Sequence, residues 1–259
     1  MERRPPRKKL ALVQLLPNFV TVGALCAGLT AVRFATEGRF GLAVTLIIAA
    51  AVMDGLDGRI ARLLKSTSEI GAELDSLCDL VNFGVAPALI MYLWALQDMR
   101  AEGWIAALIY VVACLLRLAR FNIGNRAPDN DGSTFQGVPS PAGAMLCLLP
   151  IFLDYSWDVA LPYAPVFIAV WIAFVGSLMV GRFRTPSFKR VTVYAENVSF
   201  VLLGFAVLVA ALLTYPWVTL AMADLAYLGM LGFGVWSVWR KRKSAPVVPP
   251  APPPNAPPA

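Results

Sequence analysis

The stretch Met53–Asp79, MDGLDGRIARLLKSTSEIGAELDSLCD, sets four aspartates, Asp54, Asp57, Asp75 and Asp79, between two long apolar segments. A lone charge near a bilayer centre costs about 2.5–3.5 kcal/mol on insertion scales, so four together need a partner. Ser66 precedes Glu69 by three residues, the spacing of a capping box, and predicts that a helix starts there. The chain then folds back about residues 66–67. Asp57 and Asp75 are equidistant from residue 66, and Asp54 and Asp79 from the bond that follows it. With a rise of about 1.5 Å per residue, two antiparallel helices carry them as depth-matched pairs. Spacings of three and four residues put both carboxylates of each helix on one face. The chain contains no histidine. A cluster of four inward carboxylates therefore calls for a hard divalent cation bound through oxygen.

Working outward, the 259-residue chain is 58% apolar and only 15% charged, against about 25% charged in soluble domains. Its apolar residues fall in runs long enough to cross a core roughly 30 Å thick. Eight spans are expected, at 17–36, 41–63, 71–96, 104–121, 137–153, 163–180, 197–214 and 217–239. The fold class is all-α: a polytopic membrane helical bundle of about eight transmembrane helices. An even count puts both termini on one side, read as cytoplasmic. All basic residues except Arg33, Arg39 and Arg100 then face inward, as the positive-inside rule requires.

The net charge of +6 is thereby assigned to membrane lipids, not nucleic acid. Residues 1–16 form a basic arm that rests on anionic headgroups or runs on as an interfacial helix through Leu10–Leu16. Residues 17–240 form the membrane domain. Residues 241–259 are basic and then Pro-rich, a composition that builds no core and predicts disorder. Cys26, Cys78, Cys114 and Cys147 match no metal spacing and are read as apolar side chains.

Gly55, Gly58, Ala61, Gly71 and Ala72 accompany the aspartates. Small residues let helices approach, and they also leave room for a diphosphate against the backbone. Arg62, one turn beyond Gly58, offers a planar fork to phosphate. The sequence Asp54-x2-Asp57-Gly58-x2-Ala61-Arg62-x8-Gly71-x3-Asp75-x3-Asp79 resembles, position for position, the signature of the CDP-alcohol phosphatidyltransferases. The resemblance implies that an alcohol hydroxyl displaces CMP from a CDP-linked lipid, with Mg2+ or Mn2+ at Asp54, Asp57, Asp75 and Asp79. It makes Asp79 the general base, with its share in metal binding left open. It gives Gly58, Ala61, Arg62 and Gly71 to the CDP moiety, and it implies a homodimer.

The text beyond the motif resembles the integral-membrane phosphatidylserine synthase branch. Its marks are Asp79-Leu-Val-Asn82-Phe83-Gly84, Arg117-Leu-Ala-Arg120-Phe121-Asn122 and Gly137-Val-Pro139-Ser140-Pro141. This implies CDP-diacylglycerol and L-serine as substrates, at a site facing the cytoplasm in the cell (inner or plasma) membrane. A serine carboxylate needs a cation, for which Arg117, Arg120, Lys189 and Arg190 are candidates. Its ammonium needs acceptors such as Asn82, Asn122 or Ser140. The same arginines also fit plain membrane anchoring. Two alternatives stay open: another acceptor (glycerol 3-phosphate, inositol phosphate or choline), and a cation transporter using the aspartate cluster.

Overall fold

The computed structural model describes residues 12–64, 66, 68–99, 101–126, 135–157, 164–181, 184–185 and 198–243. Among these, eight helices occupy the eight expected spans: α1 (Leu16–Thr36), α2 (Phe40–Leu63), α3 (Glu69–Met99), α4 (Ala101–Arg126), α5 (Ser140–Trp157), α6 (Pro165–Val180), α7 (Val198–Thr214) and α8 (Pro216–Lys243). Five of them, α1 to α4 and α8, are long and apolar enough to cross a membrane. Large apolar side chains such as Phe200, Leu203 and Phe205 of α7 lie open on the outside, where lipid is their natural solvent. The polypeptide is an integral membrane protein.

A two-residue antiparallel pairing, Phe135–Gln136 with Arg184–Thr185, ties the segment before α5 to the one after α6. This delays α5, whose helix starts at Ser140 instead of residue 137. Gly137 makes the turn at φ +79°, and a Cβ there would lie 2.6 Å from the Met179 carbonyl oxygen. Only glycine fits both demands.

The start of α3 needs a correction in its capping residue. Ser68, not Ser66, is the N-cap: its backbone is extended and its Oγ accepts from the Gly71 N–H at 3.0 Å. Ser66 lies two residues too early to reach the helix donors, and its hydroxyl is buried without a hydrogen-bond partner.

Prolines inside α3 and α5 cost each helix one hydrogen bond. Within lipid the freed carbonyl needs a new donor. Pro87 leaves the Phe83 oxygen, and the buried Tyr110 hydroxyl of α4 donates to it at 2.8 Å. Pro150 leaves the Leu146 oxygen, and Trp171 Nε1 of α6 donates to it at 2.9 Å. Around Pro87 the helix widens into π turns at Leu80–Val85 and Tyr92–Leu96, a form frequent near functional sites.

Helix α1 packs along α2 and also against α3, whereas α2 and the first turns of α3 barely touch. The aspartate helices thus stand apart on a shared support. A cleft opens between them.

Candidate active site

Both walls of the cleft bring their aspartates inward. Carboxylate oxygens of Asp54, Asp57 and Asp75 all come within 4.8 Å of one another. The Asp79 carboxyl lies outside that triad and beside the carboxyl of Asp54. The depth pairing of Asp54 with Asp79 thus holds across the hairpin. Asp57 is 3% exposed, and the Thr21 hydroxyl of α1 donates to its Oδ2 at 2.6 Å. Sequence reasoning missed Thr21. No local signal singles it out, since Thr30 and Thr36 of the same helix also carry hydroxyls.

The small residues divide by what surrounds them. A Cβ at Gly71 would lie 3.0 Å from Ser68 Oγ and 3.1 Å from Asn18 Oδ1. That glycine serves packing at the cap. At Gly55 and Gly58 a Cβ would meet nothing within 4 Å, so no helix contact accounts for them. Their bare backbone faces open space beside the carboxylates. Arg62 is exposed in the last turn of α2, at the mouth.

The second group of polar residues stands beside Asp79. Arg117 of α4 donates through Nη1 to Ser140 Oγ at the first turn of α5, and Cys114 Sγ reaches the same oxygen at 3.7 Å. The Arg117 guanidinium also interacts electrostatically with Asp79, Asp54 and Tyr227. Asn122 exchanges hydrogen bonds with Ser76 of α3 at 3.0 and 3.2 Å. Arg120 turns away, donating through Nη1 to the Val180 carbonyl at 2.8 Å, the last residue of α6. That is the favoured place for a cation at a helix C-terminus. Asn82 is buried with its Oδ1 over Gly28 of α1 and without a hydrogen-bond partner. Lys189, Arg190, the arm before residue 12 and the tail after Lys243 lie outside the described residues.

With this geometry in view, comparison with known proteins is direct. The family model for CDP-alcohol phosphatidyltransferase matches residues 14–179. The chain belongs to that family. A second model of the phosphatidyltransferases, CDP-alcohol phosphatidyltransferase 2, matches residues 196–231, within α7 and α8 and the residues just before them. A relative from Mycobacterium leprae, named CDP-diacylglycerol–serine O-phosphatidyltransferase, is 36% identical over 91% of this chain and 79% of its own length. Relatives of the same name from Helicobacter pylori and Bacillus subtilis are 37% and 34% identical, each over 68% of this chain and over 74% and 92% of their own.

Phosphatidyltransferases of this family use divalent cations, and the residues present fit one. A cation with metal–oxygen distances of about 2.0–2.6 Å holds neighbouring ligand oxygens roughly 3–5 Å apart. The triad of carboxylate oxygens matches that spacing. All its donors are hard oxygens, and no imidazole or thiolate is among them.

If the bare face of Gly58 is reserved for substrate, Gly58→Leu leaves a folded protein whose KM for the CDP-lipid rises about tenfold or more, the effect of roughly 1.4 kcal/mol. Gly71→Leu instead lowers the thermal midpoint, because its neighbours leave no room. A Gly58 variant with unchanged kinetics would show that the open face is unused.

Proposed function

We propose that this phosphatidyltransferase moves the phosphatidyl group of CDP-diacylglycerol to the hydroxyl of L-serine, giving phosphatidylserine and CMP. The placement of Arg117 carries this reading. One guanidinium, fixed by Ser140 and close to Asp79, sets a seat for a carboxylate next to the group that takes the hydroxyl proton. Serine carries both functions a few ångströms apart. Glycerol 3-phosphate, inositol phosphate and choline are the acceptors it displaces as first choice. The transporter reading loses its ground, since the cluster sits within the stretch matched to the transferases.

Asp54, Asp57 and Asp75 hold the divalent cation, Mg2+ or Mn2+, which when bound offsets charge on the diphosphate. Gly55 and Gly58 let the CDP moiety lie against α2, with Ala61 beside it and Arg62 at the entrance. Gly71 acts at one remove, by keeping the Ser68 cap closed. Asp79 accepts the proton of the serine hydroxyl as its oxygen bonds to the lipid phosphorus. The phosphorus–oxygen bond to CMP breaks, and CMP leaves as the anion. Asn122, held by Ser76, offers a carbonyl oxygen suited to an ammonium, whereas Asn82 keeps its Oδ1 against Gly28 of α1. Arg120 supports the site by fixing the end of α6. The site faces the cytoplasm of the cell membrane, and the chain works as a homodimer.

The test is acceptor specificity. Purified protein with CDP-diacylglycerol and Mg2+ or Mn2+ is expected to form phosphatidylserine and CMP in equal amounts with L-serine, and to stop with EDTA. Product with one of the other alcohols and none with serine would end the serine reading while leaving the family chemistry intact.

A further inference from the structure

Helix α8 turns an inward face toward the bundle that the mechanism so far leaves unused. Ala221, Asp224, Tyr227, Leu228 and Leu231 follow one another on it at helical spacing, buried or half-buried. That face is not purely apolar. Asp224 is 8% exposed, its Oδ2 has no hydrogen-bond partner, and Tyr227 lies one turn further on. Polar groups turned inward in a membrane bundle mark a functional surface.

The register of α8 is set at its far end. Trp217 packs against Phe152 and Tyr155 of α5, with ring centroids 6.4 and 5.0 Å apart. The two helices pack against each other, and as the fifth and eighth of alternating spans they run antiparallel. Ten residues further on, at the same rise on both helices, Tyr227 comes level with Gly143, one turn from Ser140. Ser140 is the residue that holds Arg117. Consistent with this, the Tyr227 phenol and the Arg117 guanidinium interact electrostatically. Three other helices therefore bring a polar group within reach of Arg117 of α4: α5 by the Ser140 hydrogen bond, and α3 with Asp79 and α8 with Tyr227 through electrostatic interaction.

We infer that Tyr227 determines acceptor specificity, donating its hydroxyl hydrogen to the carboxylate that Arg117 binds and so making α8 a wall of the acceptor seat. A guanidinium has five donors in one plane, and Arg117 spends Nη1 on Ser140. The others can hold a carboxylate edge, and a phenol from α8 satisfies a lone pair that this edge leaves unmet. An acceptor without an anionic group, such as choline, gains nothing from that donor. The matched stretch at residues 196–231 includes Tyr227, as expected if α8 contributes to the reaction and is not lipid-facing padding.

The inference rests on the serine reading, and the wild-type arm of the experiment tests that separately. The full chain and its Tyr227→Phe variant are assayed with CDP-diacylglycerol and L-serine. Removing the hydroxyl while keeping the ring is expected to raise the serine KM about tenfold, the low end for a hydrogen bond to a charged group. The KM for CDP-diacylglycerol and the kcat stay within about twofold, as does the thermal midpoint. If the ring change prevents folding, Tyr227→Gln and Tyr227→Met, matched in length but not in hydrogen bonding, give the same contrast. The methionine variant then has the higher serine KM. Equal changes in both substrates' KM, or none in serine's, overturn the role of Tyr227 while phosphatidylserine synthesis stands. A wild type that makes no phosphatidylserine overturns both.

Discussion

Asp57→Ala is expected to abolish phosphatidyl transfer, by at least about a thousandfold, or about 4 kcal/mol of lost transition-state stabilisation. Asp57 is the most enclosed of the three converging carboxylates. Its Oδ2 accepts the Thr21 hydroxyl at 2.6 Å, which leaves its other oxygen to face the cleft. Alanine removes a ligand from a triad that has no histidine or cysteine among its members, and it leaves the Thr21 hydroxyl only the Pro17 carbonyl oxygen at 3.1 Å. Mn2+ binding, read by paramagnetic resonance on the purified variant, should fall with activity. The fold should survive, because α2 is held by its packing along α1 rather than by contact across the cleft. A variant that turns over at more than a tenth of the wild-type rate would remove Asp57 from the ligand set.

How far the site was legible follows from which residues report on local rules and which on distant neighbours. The hairpin and its paired aspartates were readable because equal rise on two helices turns sequence midpoints into depth. Asp54 does meet Asp79. What the midpoint argument could not contain is the gap between α2 and α3, which depends on α1 packing against both. Thr21 was invisible for the same reason: it lies 36 residues from Asp57. The cap shifted from Ser66 to Ser68 because two serines competed for one role and the loop length decided between them. Gly58 and Gly71 look alike in the motif, yet one faces open space and the other a crowded cap. The π turns of α3 were not anticipated: Pro87 removes one helical hydrogen bond, and its replacement comes from Tyr110, 27 residues from Phe83. Arg117 and Arg120, one turn apart with the same charge, were indistinguishable by the positive-inside rule. The structure sends one to the acidic cluster and the other to the end of α6.

Asp79→Asn is the second large effect, and it is expected to fail differently from Asp57→Ala. The amide keeps the shape and the contact with Asp54 but cannot take a proton from the acceptor hydroxyl. A positioned general base contributes about 10²–10⁴-fold, so kcat should fall by about a thousandfold. Because Asp79 stands outside the converging triad, Mn2+ binding and the affinity for CDP-diacylglycerol should remain within about threefold of the wild type. Arg117 should also stay in place, since its hydrogen bond to Ser140 does not involve Asp79. The pair of variants thus separates two jobs that the motif writes with one residue type: Asp57→Ala loses the cation and the reaction together, Asp79→Asn only the reaction. If Asp79→Asn lost Mn2+ binding as completely as Asp57→Ala, Asp79 would be a ligand, and the proton would have to leave through another group of the cleft.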